Sequence, residues 1–516
     1  MRTRTVCSVA MLLGAVACAE DANEIADPAE ASEVIEHRGA PADDVIQPGA
    51  GVIPMAITED DYLLYQQGQT LFVTGLGRGA PEAIAEVPAG NFAFVYTSGK
   101  VAFIWTNPDL TSPSFGVSPL VIWSARYGAR AASEDSPVGT LTTVASRDGR
   151  QVVFPTHASN GGIVGDVVLA SADLHDVTPL VSGIQTDYSN GPCRPLSVFV
   201  GAGHHAYPAL AYCPGSDVNA TLTVFRPGAR RDLTGLVNPP RLSVDPDGEK
   251  LLTVRASEIN PGRGTPLLVT EHDVTSLGDV LTGSALFTAD GAATFSAGNP
   301  PGNIALRRAR FQHGRIVTDE VVPSLVALLG VGFGSNALSH PLSSRDGRWL
   351  AYGTAFDPAT GLVDVNVVDL HAAAPEQSTI ALDPALDNAS GAAEEPFTQD
   401  SAFVLSSKPN FAAGTAQLFA TSIRTRERRA IGDATGFSLL AAAGSFVAFN
   451  DHVQFDPSSF FLNTADLRVA DAADRVPPRL LATAANSTFF LDHSRTRVIY
   501  ATDEAGRAGL HVARIR

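Results

Sequence analysis

Short apolar runs, rich in β-branched and aromatic residues, alternate along this chain with tight polar turns, and the alternation recurs in register. Ser146-Arg147-Asp148-Gly149-Arg150 feeds Gln151-Val152-Val153-Phe154, and Ser344-Arg345-Asp346-Gly347-Arg348 feeds Trp349-Leu350-Ala351-Tyr352. In such a turn the Asp or Ser side chain caps the backbone and Gly accepts positive φ, so the chain reverses and enters a strand. Related copies are Val244-Asp245-Pro246-Asp247-Gly248 before Leu251-Leu252-Thr253-Val254, and Thr288-Ala289-Asp290-Gly291 before Ala293-Thr294-Phe295. Looser copies precede Val101-Ala102-Phe103-Ile104, Phe403-Val404-Leu405, Phe446-Val447-Ala448-Phe449 and Val498-Ile499-Tyr500. Further strands follow each copy, such as Asp166-Val167-Val168-Leu169-Ala170 and Asp364-Val365-Asn366-Val367-Val368. Few windows carry the i, i+3, i+4 spacing of a helix, so the expected class is all-β, with three or four short strands per repeat.

The grammar Ser-x-Asp-Gly-x-x-hydrophobic-x-aromatic, quoted above at Ser146 and Ser344, resembles the repeat of TolB-type, WD-like β-propellers over most of residues 90–516. The resemblance implies a single β-propeller; counting turns gives about nine repeats, and because propellers typically have four to eight blades, about eight are expected, with seven to nine open. It departs from the family where Arg147 and Arg345 replace the proline that usually follows the Ser; only Asp245-Pro246-Asp247-Gly248 keeps a proline there. Closure of the ring is expected from Tyr62-Leu63-Leu64-Tyr65 or Leu71-Phe72-Val73 joining a last blade made of Val498-Ile499-Tyr500 and Leu510-His511-Val512-Ala513, since closure removes exposed sheet edges.

The N-terminus adds a cellular address. Arg2 and Arg4, an apolar run from Val6 to Val16 and small residues before Cys18 have the layout of a secretory signal, too short to span a bilayer. Ala15-Val16-Ala17-Cys18 resembles the bacterial lipobox, with Ala15 where that family usually has Leu, which implies lipidation of Cys18 and an outer-membrane or periplasm-facing lipoprotein. Residues 1–17 are then a signal peptide. Residues 18–51, acidic and lacking aromatic side chains, read as a disordered tether, and residues 52–516 as the propeller domain. Of the 4 cysteines, the folded domain would keep Cys193 and Cys213, equidistant from Gly203 in a hairpin and therefore expected to form a disulfide.

Composition narrows the function. With 45% hydrophobic residues the 516-residue chain can bury a large core, and a net charge of −18 argues against nucleic acid, which needs clustered Lys and Arg. The small groups Arg226, Arg230, Arg231 and Arg307, Arg308, Arg310 read as solvated blade edges. His204-His205 reads as exposed loop, Asp245-Pro246-Asp247-Gly248 lacks the later ligands of a calcium loop, and Gly75-Leu76-Gly77-Arg78-Gly79 has no helix behind it to make a phosphate loop. No catalytic set, metal site or cofactor is expected. The favoured expectation is a monomeric, envelope-tethered, non-enzymatic module that holds a protein or glycan partner on its face loops. The alternative is a propeller enzyme, a lyase or hydrolase, acting at the central channel.

Overall fold

The computed structural model describes residues 44–515 apart from segments between strands, of which the longest are 326–341, 387–396, 186–194 and 455–462. Among the described residues there is no α-helix, and the strands form eight sheets. Several sheets are four-stranded antiparallel meanders in strict chain order, for example Phe94–Ser98, Val101–Trp105, Val117–Ser124 and Gly128–Pro137. The nine-stranded sheet contains two such meanders joined by the single pair Leu236↔Arg255. The seven-stranded sheet is joined by one long strand, Arg479–Leu491, whose first part pairs with Thr464–Asp471 and whose last residues pair with Arg497–Thr502. The expected all-β class of blade-type repeats is the observed one.

Two compact units are present, one formed by Met55–Glu394 and the other by residues 44–54 with Glu395–Arg516. In the first unit the period-2 geometry of a strand explains how the apolar runs are used. Val101–Trp105 is buried at every position. Val101, Phe103 and Trp105 pack with Val152 and Phe154 of the next meander, whereas Ala102 and Ile104 pack with Leu64, Leu71 and Val73 of the preceding one. A strand buried on both faces reads as an unbroken apolar run rather than an alternating one. In the second unit Ala448, Leu467, Phe489, Val498 and Tyr500 share one core.

The recurrent turn has one geometry in its closest copies. The fourth residue donates its N–H to the carbonyl of the first at 2.7 Å in Ser146–Gly149, 2.8 Å in Asp245–Gly248 and Thr288–Gly291, 2.9 Å in Ser344–Gly347 and 2.8 Å in Thr398–Ser401. The first hydroxyl donates to the third-position carboxylate, at 2.7 Å for Ser146 to Asp148 and 2.6 Å for Thr288 to Asp290. The fourth residue has positive φ even where it is not Gly, as at Ser401 (55°) and Arg495 (57°). An unexpected copy, Thr58-Glu59-Asp60-Asp61, closes the same way at 3.0 Å with Asp61 at φ 62°.

Successive turns touch each other. Within the first unit Glu59 N–H donates to the Gly99 carbonyl at 3.0 Å and Gly201 N–H to that of Gly248, while a Cβ on Gly347 would stand 2.9 Å from Asp290 Cβ. Within the second, Asp400 N–H donates to Gly444 at 3.1 Å and Ala443 N–H to Arg495 at 2.9 Å. The motif therefore sets the spacing between neighbouring sheets as well as reversing the chain.

Two expectations need correction. Tyr62–Gln67 and Thr70–Gly75 do not join the last sheet; they pair with each other inside the sheet that begins at Val52. The strand beside Gly509–Arg514 is Asp44–Pro48, within the stretch expected to be disordered tether. It pairs through its backbone: Asp44↔Val512, Val45↔His511, Gln47↔Leu510 and Pro48↔Gly509, with a bulge at Val45/Gln47. Composition missed it because its core contribution is small and its stability comes from main-chain bonds. The remainder of the expected tether lies outside the described residues.

Candidate functional site

Cys18 and Cys193 lie outside the described residues. Cys213 is buried, just beyond Tyr207–Tyr212, and packs with Ala211, Leu222 and Val224. In the hairpin that precedes it Val200 faces Tyr207 and Leu196 faces Ala211, so the pairing is centred between positions 203 and 204 rather than on Gly203. His205 is exposed; His204 is outside the described residues. Asp245 is a turn residue, accepting from Lys250 N at 2.7 Å and pairing with its Nζ at 2.7 Å. Leu76 and Gly77 form the tip of a hairpin in which Gly75 faces Arg78.

The arginine groups make contacts within the chain, and most of their members stay partly exposed. Arg226 donates to the Thr270 carbonyl at 2.9 Å and lies over the Tyr207 ring, and Arg230 pairs with Asp232 at 3.0 Å. Arg308 corrects the solvated-edge expectation, because it is 5% exposed. It ion-pairs with Asp290 of the recurrent turn and donates to the Leu370 carbonyl at 3.1 Å, which ties two neighbouring sheets. Burial, followed by the nearby Arg310 charge, pulls its guanidinium below the ordinary value.

Perturbed carboxylates also serve structure. Burial pushes the Asp471 carboxyl up, but hydrogen bonds from Arg475, Ser445 and the Ala473 and Arg475 amides outweigh it and hold the group well below the usual range. Asp369 behaves alike: burial raises it, and Arg348 with the His371 amide brings it below the ordinary value.

An open groove of about 450 Å³ lies where Gly128–Pro137 meets the hairpin Gln151–Ser159/Val164–Ser171. Its lining is partly polar, with Ser133, Glu134, Asp135, Thr156 and His157, and partly apolar, with Ala132, Phe154, Val168 and Val177. The polar part is pre-ordered. Ser133 Oγ donates to Asp135 Oδ1 at 2.9 Å and lies 2.7 Å from Thr156 Oγ1, and the same Oδ1 accepts His157 N–H at 3.2 Å. His157 occupies a bulge with φ 52°, and its Nδ1 stands 3.3 Å from Asp166 Oδ2. A non-glycine residue held at positive φ is a strained position that its surroundings must stabilise. Val177, at 53% exposure, brings an aliphatic side chain to the rim. Among the described residues no group of three or more His, Cys, Asp or Glu could hold a metal ion. The arrangement offers acceptors beside an aliphatic surface, which is the chemistry of holding a donor-rich ligand.

Sequence reasoning did not single out this groove, although a signal existed. Phe154-x-x-His157 followed by Gly165-Asp166-Val167 reappears as Phe449-x-x-His452 followed by Ala465-Asp466-Leu467.

By its repeats the chain is an all-β protein of the β-propeller class. No family model matches it, and no curated protein matches it. Solved structures similar to it include a eukaryotic initiation factor, at 8% identity over 84% of this chain and 88% of that one with a TM-score of 0.41. TolB from Acinetobacter baumannii is 12% identical over 65% of this chain and 77% of its own, with a TM-score of 0.27. An oligogalacturonate lyase in complex with manganese is 8% identical over 91% and 98%, with a TM-score of 0.32. At such values the likeness transfers neither activity nor partner, and the class rests on the sheets themselves.

Proposed function

We propose that this chain is a non-enzymatic binding module of the bacterial envelope, held to the membrane by lipid on Cys18 and stiffened by a Cys193–Cys213 disulfide, that engages a protein or glycan partner. The observation that carries the binding role is the groove at His157, where hydrogen-bonded polar side chains held on strands rather than on loops share the lining with aliphatic ones. Sites built on strands hold their geometry without ordering cost at the moment of binding. The lipobox-like Ala15-Val16-Ala17-Cys18 supports the anchor, and the burial of Cys213 beside the hairpin supports the disulfide.

The test is cross-linking capture from envelope fractions with the full chain carrying Cys18→Ala, run beside the same chain with Glu134→Gln and Asp135→Asn. A partner enriched by the first and lost by the second is the expected result. Equal recovery by both, or no specific partner, removes the groove from the function and reopens the enzyme alternative. Fatty-acid labelling that persists in Cys18→Ala overturns the anchor, and two titratable thiols in the non-reduced protein overturn the disulfide.

A further inference from the structure

The chain contains a second copy of the His157 bulge, already filled. In Phe446–Gln454 and Thr464–Asp471 the register Phe449↔Arg468, Asp451↔Asp466, Gln454↔Thr464 reproduces Phe154↔Val168, Thr156↔Asp166, Ser159↔Val164 position for position. His452 sits at φ 50°, its Nδ1–H donates to Asp466 Oδ2 at 3.1 Å, and its N–H donates to Asp451 Oδ1 at 2.9 Å. The other oxygen of that carboxylate, Asp451 Oδ2, pairs with Arg468 Nε at 2.8 Å. At the first copy the carboxylate that receives the bulge N–H is supplied by Asp135 from the neighbouring sheet, and the position of Arg468 is taken by Val168, which lines the groove. Asp135 Oδ2 has no partner among the described residues, and the exposed Glu134 also lines the groove.

We infer that the His157 groove receives an arginine side chain of a partner protein, which takes the place that Arg468 fills at the second copy. The inference rests on the binding reading above and narrows it to a protein partner. Ala132, Val168 and Val177 give the aliphatic stem a surface, and Asp135 with Glu134 gives the guanidinium its acceptors. Among the described residues no Lys or Arg lines the groove to compete.

The experiment is titration of the full chain carrying Cys18→Ala with Nα-acetyl-arginine methylamide and with its neutral isostere Nα-acetyl-citrulline methylamide, followed by NMR or calorimetry at two salt concentrations. The expected result is at least tenfold tighter binding of the arginine probe, weakened by salt. Glu134→Gln, on an exposed side chain that the fold does not need, should lose most of that preference. Val168→Arg should abolish binding by filling the groove from within, with circular dichroism and melting confirming that it folds. Equal affinity for the two probes, or arginine binding unchanged in Glu134→Gln, overturns the inference. If capture yields a partner while the probes bind alike, the binding module stands and only the arginine assignment falls.

Discussion

The third and fourth positions of the recurrent turn do separable jobs. The Asp oxygen satisfies the hydroxyl and an amide of its own turn, as Asp148 does for Ser146 Oγ at 2.7 Å and Arg150 N at 3.1 Å. The Gly supplies both a left-handed φ and close approach to the neighbouring turn. At Gly347 (φ 66°) both demands coincide, so Gly347→Ala should cost about 2–3 kcal/mol, more than the left-handed strain alone, measured by chemical denaturation. The same substitution at Gly128 meets nothing within 4 Å and should cost only the strain. Asp471 makes a pH prediction. Its folded pKa lies below the ordinary carboxylate value, so its contribution is complete above about pH 4 and is lost as pH falls through the folded value. Asp471→Asn should lower stability by about 2 kcal/mol at neutral pH and flatten the acid limb of the stability profile. An unchanged acid limb would show that the Arg475–Asp471–Ser445 cluster is not what titrates.

Strands and hairpins were legible wherever burial on both faces left an unbroken apolar run, as at Val101–Trp105 and Gln151-Val152-Val153-Phe154. They were not legible where backbone bonding does the holding. Asp44–Pro48 has a mostly exposed pattern, with Val45 at 55%, and nothing in its composition separates it from the acidic residues before it. Its docking depends on Gly509, where a Cβ would stand 2.4 Å from the Gln47 carbonyl oxygen. Gly509→Val should therefore release this strand while leaving the Arg497–Thr502 pairing in place, seen as faster amide exchange confined at first to residues 44–48 and their partners. The groove was invisible for a related reason: Asp135 reaches His157 from another sheet, 22 residues away in sequence, and no local spacing encodes that approach. Only the paired Phe-x-x-His segments hinted that two hairpins share a bulge, and the hint carries meaning once register shows Val168 and Arg468 at one position.

At the scale of the molecule, the repeat grammar predicted the all-β class and several short strands per repeat, but neither which strand flanks Gly509–Arg514 nor how titratable groups would be divided. Many polar residues of the repeats, Asp245, Arg308 and the turn carboxylates among them, hold sheets to themselves or to their neighbours. The groove differs because its acceptors exceed what the fold uses. The pairing of Asp44–Pro48 with Gly509–Arg514 has a separate consequence in time. A ribosome makes the first of these strands long before the second, so the first must wait, unpaired, through the synthesis of the intervening chain. Contacts so distant in sequence carry the full entropy of closing the loop and form late. The edge they seal thus stays open until both strands have been made, which places this seam among the late contacts of folding.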